Sequence, residues 1–333
     1  MITPASEQWT TADLVEGFHV AHAVWALHDL GVLASMERPS TARALAAKHG
    51  LDAQLLQGVL EYVAERTDLV RKHRTRFAAT TNYSAEARFL LDLYAGAYGT
   101  NAVQLARLLA KPSAAPDAVD HRRHARAFEH SSPAAVAWLT SFVQQLEWNR
   151  VLDLGCGPAT MLVQLARENP EFQGWGLDAN PAMCKTARAR VRAARVSGRV
   201  KILEGDARRL RSALPADVRS SAQAVTARQV ANEMFGNGPS GAVAWLAAIR
   251  KALPGRPMLI EDYYGRLASK DGTAHRPTLL HDYAQLISGQ GIPPAGLAEW
   301  QKIYAAAGCR LAHVTEDTSS TRFIHVLVLA EAT

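Results

Sequence analysis

Apolar residues recur at close to a helical period near the start of the chain: Leu14, Val15, Phe18, Ala21, Val24, Trp25 and Leu27. This spacing predicts a helix over Leu14–Met36, with Gly31 at a position where a helix stops. Two short helices are predicted over Thr41–Lys48 and Asp52–Thr67, followed by a small hairpin around the basic tip Arg71–Arg74. Helices followed by a basic hairpin in this order are typical of a winged helix.

Two prolines and several small residues interrupt the pattern at Lys111–Pro116. The predicted helices Ala85–Tyr98 and Asn101–Ala110 lie before this stretch, and another, Ala134–Leu146, follows it. Such a stretch is typical of a connection between domains. We therefore predict a helical, winged-helix-like domain over residues 1–115 and a second domain over 116–333.

Short apolar runs and helical patterns alternate from residue 150 to the end of the chain. The predicted strands are Val151–Leu154, Gly174–Leu177, Lys201–Leu203, Ala224–Thr226, Met258–Ile260 and Phe323–Leu329. The predicted helices are Met161–Glu168, Pro181–Val196, Gly241–Leu253 and Leu297–Ala307. This alternation predicts an α/β, Rossmann-like fold with a mostly parallel sheet covered on both faces, where ligands bind at the carboxyl ends of the strands.

Composition narrows the class of protein. The chain has 333 residues, 48% of them hydrophobic and 20% charged, which is enough for two folded domains and too apolar for a disordered chain. No apolar run reaches the roughly 20 residues of a membrane span, and no signal peptide is readable, so we expect a cytoplasmic protein without membrane contact. Three scattered cysteines indicate neither a disulfide framework nor a zinc site.

A glycine-rich turn follows the first strand of the second domain. The segment Asp153-Leu154-Gly155-Cys156-Gly157 carries a carboxylate and then two glycines to the start of a helix. Glycines allow the backbone to approach a ligand closely, and a helix N-terminus offers free N–H donors. The third glycine of the dinucleotide-binding pattern is missing, so the turn alone is weak evidence for a nucleotide site.

The next two strands also end in acidic residues. Asp178 follows the second strand about 20 residues after Gly157, where an acidic residue accepts the hydroxyls of a ribose. Asp206 follows the third strand, where a carboxylate can receive an exocyclic amine. Three acids at successive strand ends lie on one edge of the sheet, which is hard to explain by solvation alone.

With these motifs the chain resembles the class I S-adenosylmethionine-dependent methyltransferases, and in its full layout the winged-helix small-molecule O-methyltransferases. The resemblance implies an S-adenosylmethionine cofactor, a small-molecule substrate and a homodimer formed through the N-terminal domain. It places a residue near the cofactor's methyl group at Phe128. The cofactor-binding residues that it implies are Asp153, Gly155, Gly157, Asp178, Ala179, Asp206, Ala207, Arg228 and Phe128.

The family's catalytic histidine, which follows the fourth strand, is missing. Asn232 stands at the corresponding position, and an amide cannot take a proton at neutral pH. The next residue, Glu233, can accept one if burial raises its pKa toward 6–7, although an acid there is also typical of a helix start. We therefore predict Asn232 and Glu233 as the catalytic residues, acting on an amine or hydroxyl acceptor.

Aromatic residues after the fifth strand are predicted to line the substrate pocket. Tyr263 and Tyr264 follow that strand and are expected to face the same edge, and His281 and Tyr283 lie on the next predicted helix. A position in the core is an equally ordinary role for each of them. His275 and His281 are too far apart for a metal pair on one helix, so no metal is expected.

Three functions remain open at this point. The first is methyl transfer to a small molecule. The second is cyclisation of the cofactor to azetidine-2-carboxylate with release of methylthioadenosine, a reaction that needs no second substrate. The third is a DNA-binding regulator that keeps the fold, although Asp52, Glu61 and Glu65 make the second short helix a poor recognition helix, so nucleic acid is not an expected partner.

Overall fold

The computed structural model describes residues 9–130, 133–267, 275–317 and 319–330. The chain forms two compact units, one reaching to Ala97 and the other starting at Tyr98. The domain boundary predicted after residue 115 falls inside the second unit. A buried side chain ties this stretch together, because Asn101 Nδ2 donates to the carbonyl oxygens of Ala115 and Ile287 at 2.8 and 3.0 Å.

The described part of the first unit contains four α-helices, a π-helical segment over Leu91–Ala97 and a small antiparallel sheet. The helices are α1 (Thr11–Asp29), α2 (Ala42–His49), α3 (Ala53–Arg66) and α4 (Ala85–Leu90). The strands are β1 (Ser40–Thr41), β2 (Val70–His73) and β3 (Arg76–Ala79), in the spatial order β1-β3-β2. The two short helices and the hairpin lie in the predicted order, and their apolar faces pack around Leu33, Leu60 and Phe77, all fully buried.

Local chemistry explains where these helices begin and end. The Asp52 side chain accepts the Leu55 N–H at 2.7 Å and caps α3, and Gly50 ends α2 in the left-handed conformation. The prediction of one helix reaching Met36 is wrong. The helix ends at Asp29 because the chain turns through Gly31 at φ +73°, and a separate 3₁₀ turn covers Leu33–Met36.

The second unit is built on a seven-stranded sheet. Its strands are β4 (Arg150–Leu154), β5 (Gln173–Asp178), β6 (Val200–Glu204), β7 (Ala224–Arg228), β8 (Pro257–Tyr263), β9 (Cys309–Asp317) and β10 (Arg322–Leu329). Their spatial order is β6-β5-β4-β7-β8-β10-β9. The first five strands in this order are parallel, and β10 and β9 are antiparallel to their neighbours. The carboxyl ends of the five parallel strands therefore meet at one edge.

Helices accompany the sheet along the chain. They are α5 (Gly99–Val103), α6 (Leu105–Ala110), α7 (His121–Glu129), α8 (Ala137–Gln145), α9 (Thr160–Glu168), α10 (Pro181–Ala193), α11 (Leu210–Ala213), α12 (Ala216–Ser221), α13 (Pro239–Ala252), α14 (Arg276–Ile287) and α15 (Leu297–Ala306). Successive side chains of β4 enter different cores: Leu152 and Leu154 belong to one buried cluster and Val151 to another. The sheet is thus packed on both faces.

The predicted α/β fold is confirmed, and all six predicted strands are present. Several elements were missed, among them the short helices α11 and α12, strand β9 and helix α7. Strand β9 lies at the edge of the sheet and alternates exposed polar residues with partly buried ones, so no apolar run marks it. Helix α7 is rich in arginine and histidine, and it contains only two buried residues, Ala125 and Ala127.

Candidate functional site

The turn after β4 is held tightly against its surroundings. Gly155 and Gly157 both have positive φ angles, +64° and +53°. A Cβ atom on Gly155 would lie 2.3 Å from Cγ2 of Val230, whereas one on Gly157 would meet nothing within 4 Å. The N–H groups of Gly155 and Cys156 donate to the carbonyl oxygen of Leu177 at 2.8 and 3.1 Å. The turn is therefore fixed at Gly155 and open at Gly157.

Asp178, the last residue of β5, connects this turn to the start of α10. Its carboxylate accepts the N–H of Gly157 at 2.9 Å with one oxygen and the N–H of Asn180 at 2.9 Å with the other. Burial raises the pKa of Asp178 above its ordinary value, and these two hydrogen bonds oppose that rise. Each carboxylate oxygen still has a lone pair for a ligand hydroxyl.

The third acid follows β6. Asp206 accepts the N–H of Arg208 at 2.8 Å and caps a 3₁₀ turn over Ala207–Arg209. The first acid lies deeper, since Asp153 is 4% exposed and accepts a hydrogen bond from the Thr226 hydroxyl at 2.8 Å. Burial raises the pKa of Asp153 to about 7, a rise that the Thr226 hydrogen bond and Arg228 oppose. We call the turn 155–157 together with Asp153, Asp178 and Asp206 the carboxyl edge.

A buried ion pair supports the end of β7 beside this edge. The Nε atom of Arg228 lies 3.3 Å from a carboxylate oxygen of Glu261, and its Nη2 donates to the carbonyl oxygen of Ala135 at 2.9 Å. Arg322 contacts the same carboxylate of Glu261 from β10. Two guanidinium groups thus neutralise one carboxylate that is only 1% exposed, which holds the Arg228 side chain in place.

The two predicted catalytic residues differ in position. Glu233 lines the cavity described below, and burial raises its pKa to about 7, with Arg208 opposing the rise and Asp178 adding to it. Asn232 is 1% exposed, and its backbone N–H donates to the Asp262 carboxylate at 3.0 Å. Within the described residues Asn232 is not part of the cavity wall. Its catalytic role stays a prediction.

A cavity of about 1100 Å³ lies along the carboxyl edge. Every residue predicted to bind the cofactor lines it: Asp153, Gly155, Gly157, Asp178, Ala179, Asp206, Ala207, Arg228 and Phe128. The fold therefore brings together side chains that are spread over 100 positions of the sequence. The N-terminus of α9 begins just after the turn, with Thr160 also in the wall.

The residues predicted to line the substrate pocket lie elsewhere in the described part of the second unit. Tyr263 is buried and donates its hydroxyl to Asp282 at 3.0 Å, with the His281 ring edge-on at 5.2 Å. Tyr264 belongs to the core and donates to Glu316 at 2.5 Å. Tyr283 is 40% exposed. Their role in substrate binding stays a prediction.

Part of the cavity wall was not predicted. It is formed by Tyr98, His121 and His124, and by Ser288–Gln290 after α14. The signal for α7 was present in the sequence, because Asp120 caps the helix by accepting the N–H groups of Arg122 and Arg123. The family's motif places its histidine after β7, so it gives no indication of histidines on this earlier helix.

Two absences hold for the residues that the structure describes. No group of three or more His, Cys, Asp or Glu side chains is arranged to hold a metal ion there. In the same residues, no helix has both the length and the apolar character needed to cross a membrane.

Comparison with known proteins decides what kind of domain this cavity belongs to. Residues 151–244, which carry β4 to β7 and the first six residues of α13, match the family model described as a methyltransferase domain. The segment is a methyltransferase domain. Its match ends before β8, so β8–β10, α14 and α15 extend beyond the region that the family model describes.

Solved structures resemble the chain beyond the methyltransferase domain. CalO1, a methyltransferase in calicheamicin biosynthesis solved with S-adenosylhomocysteine, is 25% identical, with 96% of this chain and 97% of that chain covered and a TM-score of 0.65. The mitomycin 7-O-methyltransferase MmcR is 18% identical over 95% and 96% of the two chains, with a TM-score of 0.70.

A third structure is the O-methyltransferase NcsB1 from neocarzinostatin biosynthesis, solved with S-adenosylmethionine and 2-hydroxy-5-methyl naphthoic acid. It is 19% identical, with 92% of this chain and 95% of that chain covered and a TM-score of 0.62. Identities this low show a shared fold. No curated protein sequence matches the chain.

Proposed function

We propose that this protein transfers a methyl group from S-adenosylmethionine to a hydroxyl or amine group of a small molecule. One observation carries the proposal: the methyltransferase domain brings the Gly155–Gly157 turn, Asp178 and Asp206 into the wall of one cavity. The likeness to CalO1 and NcsB1, which were solved with S-adenosylhomocysteine and S-adenosylmethionine, supports the same cofactor here.

The carboxyl edge has the chemistry to hold this cofactor. Gly157 leaves the space of a side chain open beside the turn, and Asp178 has lone pairs free for the two ribose hydroxyls. Asp206 can accept a hydrogen bond from the amine of adenine, with Ala207 beside it. When bound, S-adenosylmethionine supplies a methyl carbon made electrophilic by the sulfonium. The protein then has to position an acceptor, exclude water and remove a proton.

The size of the cavity favours a separate acceptor molecule. Its volume of about 1100 Å³ lies just above the roughly 300–1000 Å³ that is typical of small-molecule pockets. Cyclisation of the cofactor needs no second molecule, so it needs no such space. We therefore rank methyl transfer ahead of cyclisation.

Glu233 is the residue we assign as proton acceptor. It lies in the wall of the cavity, and with a pKa of about 7 its carboxylate is half ionised near neutral pH. A base works best when its pKa lies near the working pH. Glu233 can thus take the proton that the acceptor's hydroxyl or ammonium group loses when it is methylated, and release it to solvent afterwards.

The product of the reaction tests this function. The protein is incubated with S-adenosylmethionine and with single members of a panel of hydroxylated aromatics and small amines, and the mixture is analysed by mass spectrometry. We expect S-adenosylhomocysteine and an acceptor heavier by one methylene group. Methylthioadenosine formed without any acceptor would instead establish the cyclisation, and an unbound, unchanged cofactor would contradict both reactions.

We also infer that the protein is a homodimer. On α1, three neighbouring apolar side chains, Leu14, Val15 and Phe18, are each more than half exposed. Apolar surface of this kind is typical of a protein–protein contact. Light scattering after gel filtration should give twice the 36.1 kDa of one chain, and F18E should give a single chain. The control L55E changes an exposed leucine on α3 and should stay dimeric. A wild-type protein at the mass of one chain would contradict this inference.

A further inference from the structure

The cavity has a wall that does not belong to the sheet. His124 and Phe128 lie one turn apart on α7 and line the cavity together with Tyr98. The ring centroid of His124 is 5.1 Å from that of Phe128 and 6.3 Å from that of Tyr98. We call Tyr98, His124 and Phe128 the aromatic wall. Its members present ring surfaces to whatever occupies this part of the cavity.

His124 contributes the imidazole of this wall. The side chain is half-buried in the cavity wall, and in the described part of the chain neither of its ring nitrogens has a hydrogen-bond partner. Polar groups that become buried in folded proteins are normally paired, so a ligand that covers this ring has to offer it a partner. In its neutral form the imidazole thus has one N–H donor and one acceptor nitrogen available for a ligand.

The electrostatic surroundings keep this imidazole uncharged. Burial lowers the pKa of His124 to about 4, and the nearby His121 and His281 lower it further. At neutral pH the ring is therefore neutral, so it offers an anionic group no opposite charge. A neutral hydroxyl is the kind of group that it can pair with in both directions, as donor or as acceptor.

We propose that His124 determines the specificity for the acceptor by hydrogen bonding a hydroxyl group on a planar ring that packs against Tyr98 and Phe128. The inference rests on the proposed function, because it concerns the second molecule in the same cavity. A ligand ring gains contact with the aromatic faces, and its hydroxyl pairs with an imidazole that is otherwise unpaired. A site of this type discriminates strongly against an analogue without the hydroxyl, because the buried polar group is then left without a partner.

The test measures how much the hydroxyl contributes to binding. With the protein saturated with S-adenosylhomocysteine, the dissociation constants of 2-naphthol and of naphthalene are compared by fluorescence titration. We expect the wild-type protein to bind 2-naphthol at least about tenfold more tightly. In H124A the two dissociation constants should differ by no more than about twofold, because only the hydroxylated probe loses a hydrogen bond. H124Q, which keeps a donor and an acceptor, should recover part of the ratio.

Two controls keep this result separate from folding and from cofactor binding. R122A changes an exposed residue of α7 outside the cavity wall and should leave the ratio unchanged. The affinity for S-adenosylhomocysteine should be equal in H124A and the wild-type protein. An undiminished ratio in H124A would overturn the inference while leaving the proposed function standing. Failure of the wild-type protein to bind S-adenosylhomocysteine would instead contradict the proposed function.

Discussion

The carboxyl edge and the aromatic wall border the same cavity but are built in different ways. At the edge, hydrogen bonds to backbone N–H groups fix the geometry: the Leu177 carbonyl accepts from the turn, and the Asp178 carboxylate accepts from Gly157 and Asn180. In the wall, side chains from α7 and Tyr98 contact one another, and His124 has no hydrogen-bond partner in the described chain. The edge thus depends on the conformation of the backbone, and the wall depends on its side chains. Substitutions in the wall can therefore change which ligand binds there while the geometry of the edge is kept.

The largest effect is expected where the backbone of the edge leaves no room. G155A places a methyl group against Val230 in a left-handed backbone conformation, and should lower the free energy of unfolding by about 3 kcal/mol. In the control G50A the φ angle is also positive, +67°, but the added Cβ atom would meet no atom within 4 Å. It should lose only about 1 kcal/mol. Urea denaturation measures both.

A second substitution sharpens this prediction. Shortening the neighbour in G155A/V230A removes the clash, and it should recover part of the lost stability. Equal stability losses in G155A and G50A would show that Val230 does not restrict the turn. This result would contradict the account of the turn as sterically fixed at Gly155.

The next effect concerns the reaction rate and its dependence on pH. E233Q should lower kcat about 100-fold, the usual contribution of a general base. The wild-type rate should rise with pH as Glu233 ionises through a pKa of about 7 and should level off above it, because only the carboxylate can accept a proton. In E233Q this rise should disappear. A rise that persists in E233Q would assign the proton transfer to another residue.

A smaller effect is expected at the neighbouring position. N232A removes a buried side-chain amide next to Glu233. The backbone N–H of residue 232, which donates to Asp262, is kept. We expect turnover to fall about fivefold through displacement of Glu233, with cofactor affinity nearly unchanged. Steady-state kinetics and calorimetry measure the two quantities. An unaltered rate would remove Asn232 from the site.

The same contrast explains what the sequence could predict. Gly155, Asp178 and Asp206 are tied to strand ends by short spacings, and strand ends of a parallel sheet share one edge, so their meeting in one cavity follows from the pattern. Position in the cavity wall does not follow in this way for Tyr264, which points into the core and binds Glu316. Tyr264 comes directly after β8, and the sequence alone did not tell whether its side chain would turn toward the cavity or the core.

His124 escaped prediction for a different reason. It lies on α7, whose polar composition gives little apolar periodicity, and it reaches the cavity only through tertiary packing with Tyr98 and Phe128. Such contacts join residues about 25 positions apart by the packing of helices, for which no local motif exists. The cap at Asp120 is the one local signal that marks the helix itself.

Calorimetric titration with S-adenosylhomocysteine tests the central claim, that the carboxyl edge holds the cofactor. The wild-type protein should bind one equivalent, and D178A should bind about 30-fold more weakly, the equivalent of about 2 kcal/mol for a charge-assisted pair of hydrogen bonds. The control D217A removes an exposed acid of α12 and should bind like the wild-type protein. An affinity in D178A equal to that of the wild-type protein, or no binding by either, would contradict the account.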